Sequence, residues 1–308
     1  MAAPKPNYFK RLLKDMRVNW ILYLLVLPAV VYMLVFAYGP MYGVVLAFKR
    51  YRIKDGIMGS MWVGFDYFER FLRSHQFGLL MRNTLGLSVY SLLAGFPIPI
   101  IFALMLNYLK MRWLKKTVQM ISYAPYFISI VVMCGMINIF FDSNGPINTV
   151  RQVFGLSTRD YLTSPAIFKS LYVWTGIWQG MGWSAIIYIS SLSGVDYQLH
   201  EAAIVDGATI IKRIIHIDLP SIKPTIIMLL IMNIGGIMGI GFDKAYLLQN
   251  TLNETSSEII ATYVYKMGLI KADYSLSTAA GLFNTVINLI LIVSANQISK
   301  KVADESLF

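Results

Sequence analysis

The stretch that decides the fold runs Asp196-Tyr-Gln-Leu-His200-Glu201-Ala202-Ala203-Ile204-Val205-Asp206-Gly207-Ala208 and on through Thr209-Ile-Ile-Lys212-Arg213-Ile-Ile-His216-Ile217-Asp218-Leu219-Pro220-Ser-Ile-Lys223-Pro224. Asp196 is placed to cap a short helix whose Ala and Leu content favours helix. Asp206-Gly207 ends it, because glycine takes the left-handed conformation without a Cβ penalty. Thr209 can then cap a second helix. Ile210, Ile211, Ile214, Ile215 and Ile217 form its apolar side, and Lys212, Arg213 and His216 point elsewhere. Pro220 and Pro224 restrict entry into the apolar run that follows, where proline is best tolerated in the first turn. The pattern predicts a compact helix–turn–helix knob. Ala202 and Ala203 would let a partner surface approach closely, and Glu201 offers one charge to pair. The same pattern also fits an amphipathic hairpin lying on a membrane surface.

Outward from the knob, both neighbours are long apolar runs. The candidates are Trp20 to Ala37, Phe77 to Leu109, Val118 to Phe141, Ile167 to Ser193, Ile222 to Phe242 and Ala279 to Ile298. Each has about the 20 residues that a helix needs to cross the hydrocarbon core. Strand alternation is absent from all of them, which excludes the pattern of an outer-membrane barrel. Composition agrees: 56% of the 308 residues are hydrophobic and only 14% are charged, where a soluble domain carries roughly 25% charged residues to wet its surface. The reading is all-α, a polytopic membrane helix bundle of about six transmembrane helices. Pro28, Pro97, Pro99 and Pro125 interrupt the runs and are expected to be simple kinks, which membrane helices tolerate where neighbours satisfy the freed carbonyls.

Charge sets the orientation. Lys5, Lys10, Arg11, Lys14 and Arg17 precede the first run; Lys110, Arg112, Lys115 and Lys116 fill a short second connection; Lys300 and Lys301 lie in the tail. With six crossings all three groups fall on one side, and the positive-inside rule makes that side the cytoplasm. Residues 1–18 are then a cytoplasmic segment ahead of an uncleaved first span, the connection 194–223 is cytoplasmic, and so are both termini. Lys49, Arg50, Arg52 and Lys54 in the first external loop break the pattern. They are read as solvated surface, with acidic oligosaccharides as the alternative ligand. The net charge of +11 does not point to nucleic acid, because no stretch interleaves cations with aromatics as a stacking platform would.

Other chemistry is poorly supported. No G-x-x-x-x-G-K-[ST] loop occurs, so the chain is not expected to hold ATP itself or to be an enzyme. His200-Glu201 begins like H-E-x-x-H, but Ile204 stands where the second histidine is needed. Cys134 is the only cysteine, which rules out an intrachain disulfide. Ionisable residues are nearly absent from the span interiors, with Arg82 and Lys169 near span ends, and this argues against a proton- or sodium-coupled carrier. Uncharged polar and aromatic groups do occur there. Asn138, Trp178, Gln179, Trp183 and Asn233 could line a sugar path, since sugars offer hydroxyls to hydrogen-bond and C–H faces to stack. Interhelical hydrogen bonding and interfacial anchoring would use the same residues.

Glu201-Ala202-Ala203, two residues, Asp206-Gly207-Ala208, eight residues, Ile217, one residue, then Leu219-Pro220 resembles the EAA loop of binding-protein-dependent ABC importer permeases. Ile211 and Ile214 depart from the aromatics often found in the second helix. The likeness extends to Tyr38-Gly-Pro-Met-Tyr-Gly43, Trp62-Val-Gly-Phe65, Arg82-Asn-Thr-Leu85, Ser122-Tyr-Ala-Pro-Tyr-Phe-Ile-Ser129, Trp183 through Gly194, and the glycines between Asn233 and Phe242. These are similar to permeases of oligosaccharide and polysaccharide-fragment importers related to the maltose system. The resemblance implies the type I ABC importer permease fold, a single permease domain over 1–308, and a bacterial cell membrane location. It makes 194–223 the coupling loop, with Glu201, Ala202, Ala203, Asp206, Gly207, Ala208, Ile217, Leu219 and Pro220 as its docking residues. It also implies a second homologous permease, two ATPase subunits that bind the ATP and Mg, an extracellular solute-binding protein, and an oligosaccharide as substrate. A permease for another small solute, or a non-transport membrane component recruiting a cytoplasmic ATPase, remains the alternative.

Overall fold

A computed structural model describes residues 15–303; Lys5, Lys10, Arg11, Lys14 and most of the segment 1–18 lie outside the described residues. Among the described residues, five helical stretches are long and apolar enough to cross a membrane: Trp20–Phe48, Phe77–Tyr108, Ile130–Val153, Ile210–Gly235 and Tyr274–Lys301. A further helix, Pro165–Ser193, has 29 residues, about 44 Å at 1.5 Å per residue, ample for a core of about 30 Å. It is the central helix, packed against several other elements. Phe168, Leu171, Tyr172, Val173, Gly182, Ala185, Tyr188 and Leu192 are all buried within the bundle. Counted in chain order, with Pro165–Ser193 fourth, these are the six crossings.

Three apolar clusters hold the bundle together. Toward one end, Phe168, Leu171 and Tyr172 of the fourth span pack with Met133, Cys134, Ala245 and Ile259. Toward the other, Ala185, Tyr188 and Leu192 pack with Ala103 and Leu104 of the second span and Ile222 of the fifth. The third cluster joins Leu276, Ala279 and Ala280 of the sixth span to Phe71, Leu80 and Met238. The first span stands apart, with no buried residue between Trp20 and Tyr32. After it, Lys49–Arg50 pairs antiparallel with Met61–Trp62. Lys49 Nζ donates to the carbonyls of Ile57 and Met58 at 2.8 and 3.1 Å, and Arg50, Arg52 and Lys54 are exposed.

Three expectations are corrected. The run Val118 to Phe141 is not one span. An amphipathic helix, Arg112–Tyr123, is followed by a 3-10 turn, Ala124–Phe127, and a new helix starts at Ile130. The second connection is therefore itself mostly helix, and Pro125 sits at a break, not a kink. Ile128 is extended, Ser129 caps the restart, and the Gln179 amide donates to the Ile128 carbonyl at 2.9 Å. Irregular backbone at membrane depth persists only where its polar groups are satisfied in this way.

The run Ile222 to Phe242 likewise ends early. Its helix stops at Gly235, a 3-10 turn spans Ile237–Gly239, and Phe242–Leu248 is a separate helix. The sixth span satisfies the unwound backbone: Met238 N–H donates to Asn288 Oδ1 at 2.9 Å, and Asn284 donates to the Met238 carbonyl at 3.1 Å.

Finally, the knob has one free helix, not two. The helix begun at Ile210 passes through a π-helical turn, Ile214–Asp218, straight into Leu219–Gly235. The wider turn accommodates Pro220, which has no N–H to donate and whose ring would otherwise meet the preceding turn.

Candidate functional site: the loop helix and the cleft

The loop helix, Tyr197–Val205, is built by its ends. Asp196 Oδ1 accepts from Gln198 N–H at 2.9 Å. At the far end Gly207 has φ +73°, Gly207 N–H donates to the Ile204 carbonyl at 3.0 Å, and Ala208 N–H donates to that of Ala203 at 2.8 Å. Thr209 Oγ1 then accepts from Lys212 N–H at 3.4 Å and starts the root of the fifth span.

Glu201, Ala202, Asp206 and Gly207 are exposed, as is Pro220; Ala203, Ala208, Ile217 and Leu219 are half-buried. Tyr197, Leu199, Ile204 and Val205 are also exposed, Val205 to 86%. This is a small-residue and apolar surface with two carboxylates, Glu201 and Asp206, suited to a protein partner. The inner face is held differently. His200 is buried and its Nε2 lies 3.3 Å from Oδ1 of the fully buried Asp218. Tyr108, the last residue of the second span, donates its hydroxyl to Asp218 Oδ2 at 2.6 Å.

A cleft of about 430 Å³ opens between the second, fourth and fifth spans, lined by residues that include Ser88, Ser91, Tyr172, Gly176, Trp183, Ser184, Tyr188, Asn233 and Gly236. Trp183 is stacked on Tyr126, with ring centroids 4.6 Å apart. Asn233 Nδ2 donates to the Leu229 carbonyl at 2.7 Å. The Ser88 and Ser91 hydroxyls find no partner among the protein groups.

Of the candidate path residues, Trp183 and Asn233 meet at this cleft. Asn138, Trp178 and Gln179 do not line it; Asn138 and Trp178 are exposed on the bundle surface, and Gln179 braces the third-span break. Three lining residues, Ser88, Ser91 and Ser184, carry no sequence signal that separates them from ordinary span residues. Lys244 was also hidden. It is buried, and its Nζ donates to the Tyr172 carbonyl at 2.7 Å and lies 4.8 Å from that ring's centroid, directly behind Gly176 in the wall of the cleft.

A capped surface helix between two spans, over a bundle with a mostly apolar cleft, fits a transport subunit, and comparison with known proteins agrees. The family model described as "Binding-protein-dependent transport system inner membrane component" matches residues 95–304. The chain belongs to that family. The matched region of this permease contains the loop helix and the fourth, fifth and sixth spans. Protein LplB of Bacillus subtilis (strain 168) is 42% identical over 95% of the permease and 92% of its own length. The polygalacturonan/rhamnogalacturonan transport system permease protein YteP of the same organism is 41% identical over 97% and 94%. Among solved structures, a chain of a bacterial ABC transporter involved in import of the acidic polysaccharide alginate superposes with a TM-score of 0.88 at 39% identity, covering 95% of the permease and 99% of that chain.

Proposed function

We propose that this permease is the membrane-spanning subunit of an ABC importer that takes up oligosaccharides by alternating access, driven by separate ATPase subunits. The observation that carries the proposal is the loop helix, which presents Glu201, Ala202 and Asp206 outward while its inner face is tied to the bundle. A surface helix so mounted can receive force from a neighbour and pass it to the walls of the cleft. The cleft supports a sugar as cargo, because its lining includes the exposed Ser184 and the exposed face of Trp183. Relatives named for polygalacturonan and alginate transport favour acidic oligosaccharides.

On this reading the loop faces the cytoplasm. The Tyr108–Asp218 bond sets the loop beside the connection carrying Lys110, Arg112, Lys115 and Lys116, a basic cluster of the kind that stays inside. The mechanism requires a second permease to complete the pathway, two ATPase subunits holding ATP and Mg, and an extracellular solute-binding protein. The part of the first span from Trp20 to Tyr38, which buries nothing against its own bundle, is free to pack on the second permease. ATP binding closes the ATPases, the loop helix is displaced, and the cleft opens outward to receive cargo; hydrolysis restores the inward state. Glu201→Lys and Gly207→Pro are expected to abolish uptake while the protein still inserts. ATP-driven uptake at the normal rate by either variant in reconstituted vesicles would defeat the proposal.

A further inference from the structure

The loop helix is joined to the bundle by two weak joints. Gly194 and Val195 precede its cap, and Asp206, Gly207 and Ala208 follow it without regular helix. A push on such a helix could be lost in bending the joints. Along the backbone it would reach only the fourth and fifth spans, because nothing covalent near the loop leads to the second.

The buried cluster beneath the helix removes both problems. Asp218 is fully buried in the π-helical root of the fifth span. Its Oδ2 accepts from Tyr108 at the end of the second span, at 2.6 Å. Its Oδ1 faces His200 Nε2 of the loop helix at 3.3 Å, a close contact not aligned as a hydrogen bond, and has no other partner. Arg213 lies over the Tyr108 ring, 5.4 Å from its centroid. Burying a carboxylate is costly unless polar or charged groups surround it. Here those groups come from two other elements, so separating either from Asp218 would leave the carboxylate less satisfied. His200 sits one position before the exposed Glu201, so the docking face and the buried contact are on adjacent positions of one short helix.

We infer that Tyr108, Asp218 and His200 form a brace that makes the loop helix, the root of the fifth span and the end of the second span move as one body, with Asp218 as the positioning residue. The inference rests on the transport reading above. It explains how displacement at the loop reaches the second span, which supplies Ser88 and Ser91 to the cleft.

The test uses the assembled transporter purified with its ATPase subunits, spin-labelled at Gln198→Cys and Lys110→Cys, two exposed positions. The distance between the labels is measured without nucleotide and after trapping with ATP and orthovanadate. With the native brace the distance is expected to stay the same in both states. In His200→Ala or Tyr108→Phe it is expected to broaden and to shift by about 2 Å or more on trapping, the scale of helix displacements in switching proteins. His200→Gln, which keeps a polar side chain facing Asp218, is expected to restore much of the native behaviour and shows that the alanine effect is not misfolding. A purely static packing role would alter the distance equally in both states. A complex that hydrolyses ATP, and in which His200→Ala and Tyr108→Phe keep the native distance in both states, overturns the brace alone. A complex that assembles with no ATP-hydrolysing subunit overturns the transport reading instead.

Discussion

Two glycines should respond to substitution for opposite physical reasons. Gly207 ends the loop helix at φ +73°, and a Cβ built on it meets nothing within 4 Å. Gly207→Ala therefore has room, and its cost is the left-handed backbone, about 1–2 kcal/mol. Asparagine visits that conformation more readily, so Gly207→Asn should lose clearly less. Gly182 lies in the fourth span, where the chain is helical and the backbone comfortable. Its Cβ, however, would stand 2.2 Å from the Ser122 carbonyl oxygen and 2.5 Å from its carbon. Backbone atoms cannot rotate away, so Gly182→Ala must push Arg112–Tyr123 off the bundle. Overpacking of this kind costs about 1–3 kcal/mol, and no choice of residue larger than glycine relieves it. Thermal midpoints of the purified complex, read by loss of the monodisperse peak on size-exclusion chromatography, should rank native, Gly207→Asn, Gly207→Ala and Gly182→Ala from most to least stable. Equal loss in Gly207→Asn and Gly207→Ala would show that the left-handed backbone is not what Gly207 supplies, and a neutral Gly182→Ala would show that the fourth span does not press against Ser122.

Further outcomes follow from single contacts. Asn288→Ala leaves the Met238 N–H without its partner in the unwound fifth span, a loss of about 1–3 kcal/mol, expected as a lower midpoint and faster proteolysis after Ile237. Gln179→Leu strands the Ile128 carbonyl and is expected to destabilise by a similar amount in the same melting assay. Trp183→Ala removes a ring stacked on Tyr126 and is expected to weaken uptake of oligosaccharide, measured as a raised KM in vesicles, with ATP hydrolysis retained. Cys134 is buried, so maleimide labelling of the folded complex in detergent should be slow and should become fast on denaturation.

What the sequence made legible was local. Asp196, Gly207 and Thr209 act on the backbone within four residues, so their capping and breaking roles could be read from residue type and found again in the structure. Hydrophobic runs were equally clear for the second and sixth spans. The breaks at Ala124–Ser129 and at Gly236 were not legible, because an apolar run looks the same whether or not its helix is continuous. What permits each break is a polar side chain on another element: Gln179 for the first, Asn288 and Asn284 for the second. From sequence Gln179 reads as a path candidate or an interhelical bond, and only the fold shows which backbone each of the three serves. Lys244 illustrates the same limit, since its neighbour Tyr172 is 72 residues away. The fusion of the second loop helix with the fifth span was masked by Pro220, which reads as a stop until a π-helical turn makes room for it.

Transport on this mechanism requires the loop helix to touch an ATP-hydrolysing subunit in the cytoplasm. Ala202→Cys, on the exposed face, can be tested by bifunctional maleimide cross-linking in intact cells alongside labelling with a membrane-impermeant maleimide. The expected result is a cross-link to the ATPase subunit and protection from the impermeant reagent. Labelling from outside the cell, with no cross-linked ATPase, would contradict the account.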